Sequence, residues 1–419
     1  MSETALAGAP YPLVPIDLSP SEKRTFRLQL ASSVAAGLCS GVLLNNEYIA
    51  ANGLGASVWQ ITLLTMIWPM SNFLSVFINR MVESRGWWGK AFLAAAAMRV
   101  PICLMSLSAS VDVLLVLLAL FSAADSVVSP AQNTIIRNCY REGRRGVLYG
   151  WAVSFFTLIS VPAALLVGVL LDLDFQWYRT LFLALGLFGA VHAGIFWLMT
   201  RGLPDTPRGG PASPREIARS LWEVFRRDRE FARFEAYFML YGFAFMMILP
   251  AVPFFAKDYL HLDYGEYATA KGVIAQVGIL LLSPFMGIRA ERMHPFRFTG
   301  FVCLALAAYP ALIAMGAFLH PQAKLLFYAA FGVYSVSMAG VNVSWNMSSL
   351  YFAPPGQEAT YQGLHITMTA VRGFMAPILG NLLLQCCGHV SLFGASTGLF
   401  LLAGLMYLRR FSQRKRLGL

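Results

Sequence analysis

The strongest constraint on this chain is a series of long apolar segments that recurs from near its first residues to near its last. A bilayer core about 30 Å thick is crossed by roughly 20 helical residues. Lipid offers the backbone no hydrogen-bonding partner, so each segment is expected to be a helix. Only 13% of the residues are charged, against about 25% in soluble domains. The sequence therefore predicts an all-α polytopic membrane protein.

Twelve segments are long enough to be membrane spans. They are residues 27–50, 57–81, 88–109, 111–136, 146–170, 177–199, 234–258, 266–289, 297–318, 323–350, 359–386 and 389–409. The distribution of basic residues supports this count. Twenty-six of the 32 Lys and Arg residues lie in the two tails, in the loops after spans two, four, six and eight, or within three residues of the span ends beside them. By the positive-inside rule, both termini are expected in the cytoplasm, with the chain in the cell (inner) membrane.

A basic stretch, residues 201–233, separates six spans from the next six. Ser213, Pro214 and Glu216 form a capping-box pattern that predicts an amphipathic helix within this linker. The predicted organisation is a cytoplasmic tail at 1–26, a six-helix bundle at 27–200, the linker at 201–233, a second six-helix bundle at 234–409 and a basic tail at 410–419. The net charge of +11 is explained by this topology, so no nucleic-acid partner is expected.

The two halves carry similar short motifs in equivalent loops, after spans two and eight. The first keeps an acid and a glycine, Glu83 and Gly86; the second keeps Gly287, Glu291 and Arg292. The chain resembles the major facilitator superfamily, whose loop motif is Gly-x-x-x-Asp-Arg-x-Gly, and departs from it with Asn79, Ser84 and His294. The resemblance implies the twelve-helix fold of that family and a gating role for the two acids. Ordinary helix-end charges are the alternative interpretation.

Two ionisable residues lie in the middle of the third and fourth predicted spans. Arg99 and Asp125 are at similar distances from the turn that joins these spans, so they can meet. One interpretation is a structural ion pair. The other is that Asp125 faces a cavity and binds a proton or cation, which the family resemblance favours because span four lines the cavity in that fold. A charge in mid-membrane is costly in either case.

The remaining candidates are single polar residues on predicted spans. Arg372, in span eleven, is expected to face the cavity and to suit an anionic solute. Glu47, at the end of span one, is a second candidate for ion coupling, with simple solvation at the outer mouth as the alternative. Polar and aromatic residues expected to line a solute cavity, or to pack between helices instead, are Tyr237, Tyr241, Asn342, Trp345 and Asn346.

These features favour a secondary active transporter that moves a small organic solute by alternating access, with proton coupling as one option. The alternative is a transporter-like membrane scaffold without transport activity. An enzyme is not expected, because the sequence has no nucleotide-binding or metal-binding motif and no nucleophile motif. We expect no cofactor or metal, and a monomer whose partners are the lipid bilayer and a small-molecule substrate.

Overall fold

The computed structural model describes residues 18–141, 145–201, 214–319, 322–354 and 357–416. In the first half, six long helical segments follow one another. They are α1 (Pro20–Tyr48, continued by a π-helical turn Ile49–Gly53), α2 (Val58–Arg85), α3 (Trp88–Arg99, continued as a 3-10 helix Val100–Ser106), α4 (Val111–Cys139), α5 (Arg145–Leu173) and α6 (Trp177–Thr200).

The second half has shorter pieces that continue one another along the same spans. A separate helix, α7 (Pro214–Arg227), precedes it. The remaining elements are α8 (Arg229–Met246), α9 (Ala251–Phe254, continued by a π-helical turn Phe255–Tyr259), α10 (Tyr264–Ala268, continued by a π-helical turn Thr269–Ile274), α11 (Ala275–Glu291), α12 (Pro295–Leu306), α13 (Ala308–Gly316), α14 (Ala323–Phe352) and α15 (Glu358–Arg416).

The last helix is two spans joined at a glycine. A straight helix of 59 residues would be about 90 Å long at 1.5 Å per residue, three times the hydrocarbon thickness. At Gly388 the backbone has φ 77° and ψ 176°, a conformation essentially reserved for glycine. The chain therefore turns here, between the predicted spans 359–386 and 389–409.

Ten segments of the described residues are long and apolar enough to cross a membrane. One of them, Thr360–Arg416, contains both spans of α15. The second predicted span corresponds to α2, which is 28 residues long and is not among the ten. The protein is thus an all-α, multi-pass membrane protein, and its helices are consistent with twelve spans.

The two halves repeat one packing scheme. In the first half, α1 packs on α5, α2 on α4, and α3 on α6. In the second half, α8 packs on the first part of α15, α11 on α14, and α12 on the last part of α15. These are the same three pairings shifted by six spans. The halves meet where α2 contacts α15 and where α5 contacts α10.

Two segments outside the predicted spans are also helical. The first helix begins at Pro20, within the predicted tail, because Ser19 and Glu22 form a capping box with bonds of 3.0 and 3.3 Å. In the predicted linker, α7 buries Leu221 and Val224 against Tyr361 of α15. The apolar stripe of α7 is therefore covered by protein. Ser213, predicted to cap α7, lies outside the described residues.

Candidate functional site

A cavity of about 290 Å³ lies between the two halves, near the middle of the bundle. All of its polar lining residues lie on α1, α2 and α4 of the first half, among apolar ones, and α8 and the turn after it supply only apolar residues. The lining residues are Leu43, Asn46, Glu47, Leu64, Thr65, Ile67, Trp68, Pro69, Leu118, Ser122, Asp125, Phe245, Met246 and Leu249. Both residues proposed from the sequence for ion coupling, Asp125 and Glu47, are in this wall.

Asp125 forms an ion pair with Arg99, as the hairpin geometry of their spans allows. The Nη2 of Arg99 donates to Asp125 Oδ1. Its Nη1 donates to the Gly189 carbonyl at 3.1 Å, and its guanidinium lies 5.1 Å from the centroid of the Phe121 ring. The Asp125 side chain is 34% exposed and that of Arg99 only 4%. Asp125 is therefore both a partner in an ion pair with Arg99 and an acid that faces the cavity.

Glu47 is bound across the interface between the halves. Its Oε2 accepts a hydrogen bond from the Nζ of Lys271, in the π-helical turn after α10. The ammonium of Lys271 also lies 5.9 Å from the centroid of the Tyr267 ring. Simple solvation of Glu47, the alternative open from the sequence, does not describe this conformation. Instead, Glu47 links the cavity wall to the second half.

Further contacts join the halves at the same end of the bundle, which is the end away from both termini. The Tyr48 ring stacks on that of Tyr267, with centroids 4.2 Å apart, and its hydroxyl donates to the Leu262 carbonyl at 2.5 Å. The backbone N–H groups of Tyr264 and Gly265 each donate to an Asp172 carboxylate oxygen at 2.7 Å. The cavity is therefore closed at this end by polar and aromatic contacts.

Arg372 does not line the cavity in this conformation. It is 2% exposed, and its guanidinium donates to the Phe238 carbonyl at 2.8 Å and to the Thr369 hydroxyl at 2.9 Å. A Cβ at Gly242 would lie 2.1 Å from Arg372 Cδ, so a glycine on α8 is what admits this side chain. Its role in binding an anionic solute stays a prediction.

A buried acid–imidazole pair lies in the same half and was missed in the sequence. Glu235 Oε1 lies 2.8 Å from His365 Nδ1, and both side chains are almost fully buried. The second oxygen of Glu235 and the Nε2 of His365 have no hydrogen-bond partner in the described part of the chain. The sequence did contain a signal for this pair: Glu235 and His365 are ionisable residues inside predicted spans seven and eleven, where such residues are costly unless they are paired.

The polar and aromatic residues proposed on spans seven and ten are dispersed. Tyr237 packs against the Phe296 and Tyr407 rings, towards α12 and the end of α15. Tyr241 is buried, with its ring 5.9 Å from that of Phe400. Both tyrosines are thus packing residues here and not part of the cavity wall.

On α14, the two predicted asparagines are exposed, whereas the predicted tryptophan packs against another helix. Asn342 and Asn346 are exposed, and the Asn346 side-chain amide donates to the Asn342 carbonyl at 2.7 Å. The Trp345 ring lies 5.5 Å from the His365 ring, so it covers the buried acid–imidazole pair. None of the three lines the cavity described above, and their contact with a solute stays a prediction.

The loop motifs show a helix cap and exposed charges. Gly86, with φ 65°, follows α2, and the N–H of Trp87 donates to the Val82 carbonyl at 3.0 Å, which is a Schellman cap. The side chain of Glu83 lies outside the described part of the structure. Gly287 has open space around it, and Glu291 and Arg292, at the end of α11, are exposed. The gating role of these residues stays a prediction.

A two-halved bundle of membrane-spanning helices with a charged cavity between its halves defines the protein as a multi-span membrane transporter. The family model of the Major Facilitator Superfamily matches residues 28–377, and the chain belongs to this family. The resemblance found in the sequence is thereby confirmed. A comparison with curated proteins finds no match.

Solved structures share this fold. A mutant of the nucleoside transporter NupG superposes with a TM-score of 0.74 at 14% identity, covering 92% of this chain and 99% of its own. A mutant peptide transporter POT in complex with alafosfalin gives 0.72 at 14% identity, covering 97% of both chains. The human organic anion transporter MFSD10 gives 0.59 at 16% identity, covering 93% of this chain and 100% of its own. These likenesses show the fold alone.

Proposed function

We propose that the protein is a secondary carrier that moves a small organic solute by rocking of its two halves around the central cavity. The observation that carries this proposal is the position of the cavity. Asp125 and Glu47 of the first half face Phe245 and Met246 of the second across it. A solute bound there would touch both halves, so its binding would depend on how they are arranged.

The contacts that close one end suggest which state is present. If both termini are cytoplasmic, the closed end that contains Tyr48, Asp172 and Lys271 is the outer one. This conformation of an inner-membrane carrier is then closed towards the outside. We infer that opening to the outside requires the Glu47–Lys271 ion pair to separate.

The cavity wall favours a neutral or cationic solute with hydrogen-bonding groups. Asp125 presents its carboxylate to the cavity, while the guanidinium of Arg99 is buried behind it. Asn46, Thr65 and Ser122 add polar groups to the wall. The anionic solute suggested by Arg372 has less support in this conformation, because that guanidinium is buried elsewhere.

We infer that a proton or cation coupled to transport would bind at Asp125. Its second oxygen, Oδ2, is free of the Arg99 bond, and the side chain is partly exposed to the cavity. The Glu235–His365 pair is a second proton-carrying candidate, because its imidazole Nδ1 lies 2.8 Å from a carboxylate oxygen. It differs from Asp125 in having no direct contact with the described cavity.

The proposal is tested by solute uptake into proteoliposomes, with and without an inward proton gradient. The solute panel includes nucleosides, short peptides and organic anions, which are the classes named for the similar structures, together with organic cations. Asp125→Asn is expected to reduce uptake at least tenfold, on the order of 1.4 kcal/mol in binding or barrier. The matched control is Asp112→Asn, an exposed acid at the start of the same helix.

The control separates the carrier from the scaffold alternative. Uptake that is unchanged in Asp112→Asn and lost in Asp125→Asn supports the carrier. No uptake by the wild type above protein-free liposomes, for the whole panel, contradicts the carrier and favours a scaffold. Equal uptake by both variants would contradict the role given to Asp125. Membership of the Major Facilitator Superfamily also supports the expectation that the protein is a transporter and not an enzyme.

A further inference from the structure

A second cavity opens on the lateral surface of the second half, away from the interface between the halves. It has a volume of about 480 Å³ and lies between α11, α12 and α14. Its walls are mainly apolar, and two arginines form its rim at the end of the bundle that holds the termini. The lining residues used in the argument are Phe285, Arg289, Arg297, Phe301 and Ala305.

The two rim arginines place two positive charges beside the apolar wall of the groove. Arg289 and Arg297 are exposed, and neither makes an ion pair in the part of the chain that the structure describes. The guanidinium of Arg297 lies 5.8 Å from the centroid of the Phe301 ring and 5.7 Å from that of Phe411. These aromatic contacts hold one arginine at the rim and leave its donors available to an anion.

Below the arginines the groove is apolar and faces outward. Phe285 is 65% exposed and Phe301 47% exposed. From Arg297 to Ala305 the wall follows two turns of α12, about 12 Å along the helix axis. In a multi-pass membrane protein, this surface runs from the headgroup level into the hydrocarbon. The groove therefore offers contacts to an anionic headgroup and to an acyl chain together.

We propose that this groove binds one anionic phospholipid, with the lipid phosphate on Arg289 and Arg297 and an acyl chain against Phe285, Phe301 and Ala305. Basic pockets between spans at the cytoplasmic side are a known mode of anionic lipid recognition. Guanidinium groups suit phosphate because they donate in a planar fork. A soluble partner could reach the rim, but the apolar wall at membrane depth is open only to lipid or to another membrane protein.

A second basic surface provides the matched control. Lys23, Arg24 and Arg27, on the first turns of α1, border a shallow cavity whose other walls are Pro20 and Leu28. This surface has the charge but lacks the aromatic groove. Removing two arginines from it changes the net charge by the same amount without changing the proposed site.

The test is native mass spectrometry of the full chain in detergent, with added phosphatidylglycerol and phosphatidylcholine of identical acyl chains. The wild type is expected to retain one phosphatidylglycerol in preference to phosphatidylcholine. R289Q/R297Q is expected to lower phosphatidylglycerol occupancy about tenfold or more. R24Q/R27Q is expected to leave it within about twofold of the wild type.

Two further arms identify the occupant. Ala305→Trp fills the exposed groove, keeps both arginines and should also release the lipid; unchanged binding would overturn the acyl-chain part of the proposal. Glycerophosphoglycerol, the headgroup without chains, should not compete; effective competition would show an anion site only. Equal loss of phosphatidylglycerol in both double-arginine variants would overturn the site. The last arm is A305C in a chain without its native cysteines. Disulfide-linked dimers of that variant would also overturn the proposal, because they would show that a second copy covers the groove.

Discussion

Arg99 and Asp125 form an ion pair whose two ends lie in different surroundings: the guanidinium is buried between α3, α4 and α6, and the carboxylate is partly exposed to the central cavity. This asymmetry means that the two members of the pair should not be equivalent. A carboxylate that loses its partner can be hydrated from the cavity. A guanidinium that loses its partner stays buried with its charge uncompensated.

The first prediction follows from this asymmetry. Asp125→Leu should destabilise the protein by roughly 3–5 kcal/mol, the cost of leaving a buried charge unpaired. Arg99→Leu should cost less, and the double variant should cost less than the sum of the two single ones. Thermal unfolding of the detergent-purified variants gives the order. A larger loss for Arg99→Leu than for Asp125→Leu would contradict the described asymmetry.

The second prediction concerns the buried pair of Glu235 and His365. Replacing either residue alone by Leu leaves the other without its partner, at a cost of roughly 1–3 kcal/mol. Replacing both removes the unpaired group, so the double variant should regain much of the lost stability. If the pair also carries the coupled proton, the stable double variant will exchange solute but no longer respond to a pH gradient. A double variant with wild-type gradient dependence would restrict the pair to a structural role.

The third prediction is a pH dependence at the end of the bundle that holds the termini. Glu230 binds Arg410 and Arg414, so it ties the start of α8 to the end of α15. Partial burial raises the pKa of Glu230, but the hydrogen bonds from these arginines outweigh it and lower the pKa to about 2. The stability from this contact is therefore present above the unfolded-state pKa of about 4.3 and is lost as the pH falls towards 2.

The variant that tests it is Glu230→Gln. The Glu230 side chain is 26% exposed, so solvent screens its ion pairs in part and the loss at pH 7 should be roughly 1 kcal/mol or less. The melting-temperature difference from the wild type should be smaller at pH 3 than at pH 7. Glu223→Gln, in an exposed helical pair with Arg219, is the control and should change stability little. A difference for Glu230→Gln that grows on acidification would contradict the assignment.

The fourth prediction addresses the turn between the last two spans. Gly388→Ala places a Cβ in a backbone conformation that costs about 1–3 kcal/mol for other residues. The nearby Gly394 lies within the following helical stretch with open space for a Cβ. Gly394→Ala should therefore be neutral or slightly stabilising. Melting temperatures that fall equally in both variants would argue against the special role of Gly388.

Much of the fold could be predicted from the sequence because membrane spans are local. Apolar length and arginine placement reveal the spans, and the short hairpin between spans three and four brings Arg99 within reach of Asp125. The bend near Gly388 also coincides with the boundary between two predicted spans. Each of these inferences needs only residues that are close in the chain or joined by one turn.

The contacts between distant spans could not be predicted in the same way. Glu47 and Lys271 are 224 residues apart, and their meeting depends on how the two halves are arranged in this conformation. Arg372 was expected in the cavity because it is an arginine in mid-span. Its side chain, which belongs to α15, is instead buried against α8, because Gly242 leaves room for it and the Phe238 carbonyl accepts a hydrogen bond from it. Which face of a helix meets which neighbour is a property of tertiary packing.

The central claim, rocking of two halves about the cavity, is tested most directly by two distances measured together by pulsed electron paramagnetic resonance. Spin labels at Leu173 and Leu325 report on the closed end, and labels at Tyr149 and Tyr351 report on the opposite end, all at exposed positions. Lys271→Gln removes the cross-interface ion pair with Glu47. The carrier model predicts that the first distance lengthens while the second shortens. Two unchanged distances, or a longer first distance with no change in the second, would contradict it.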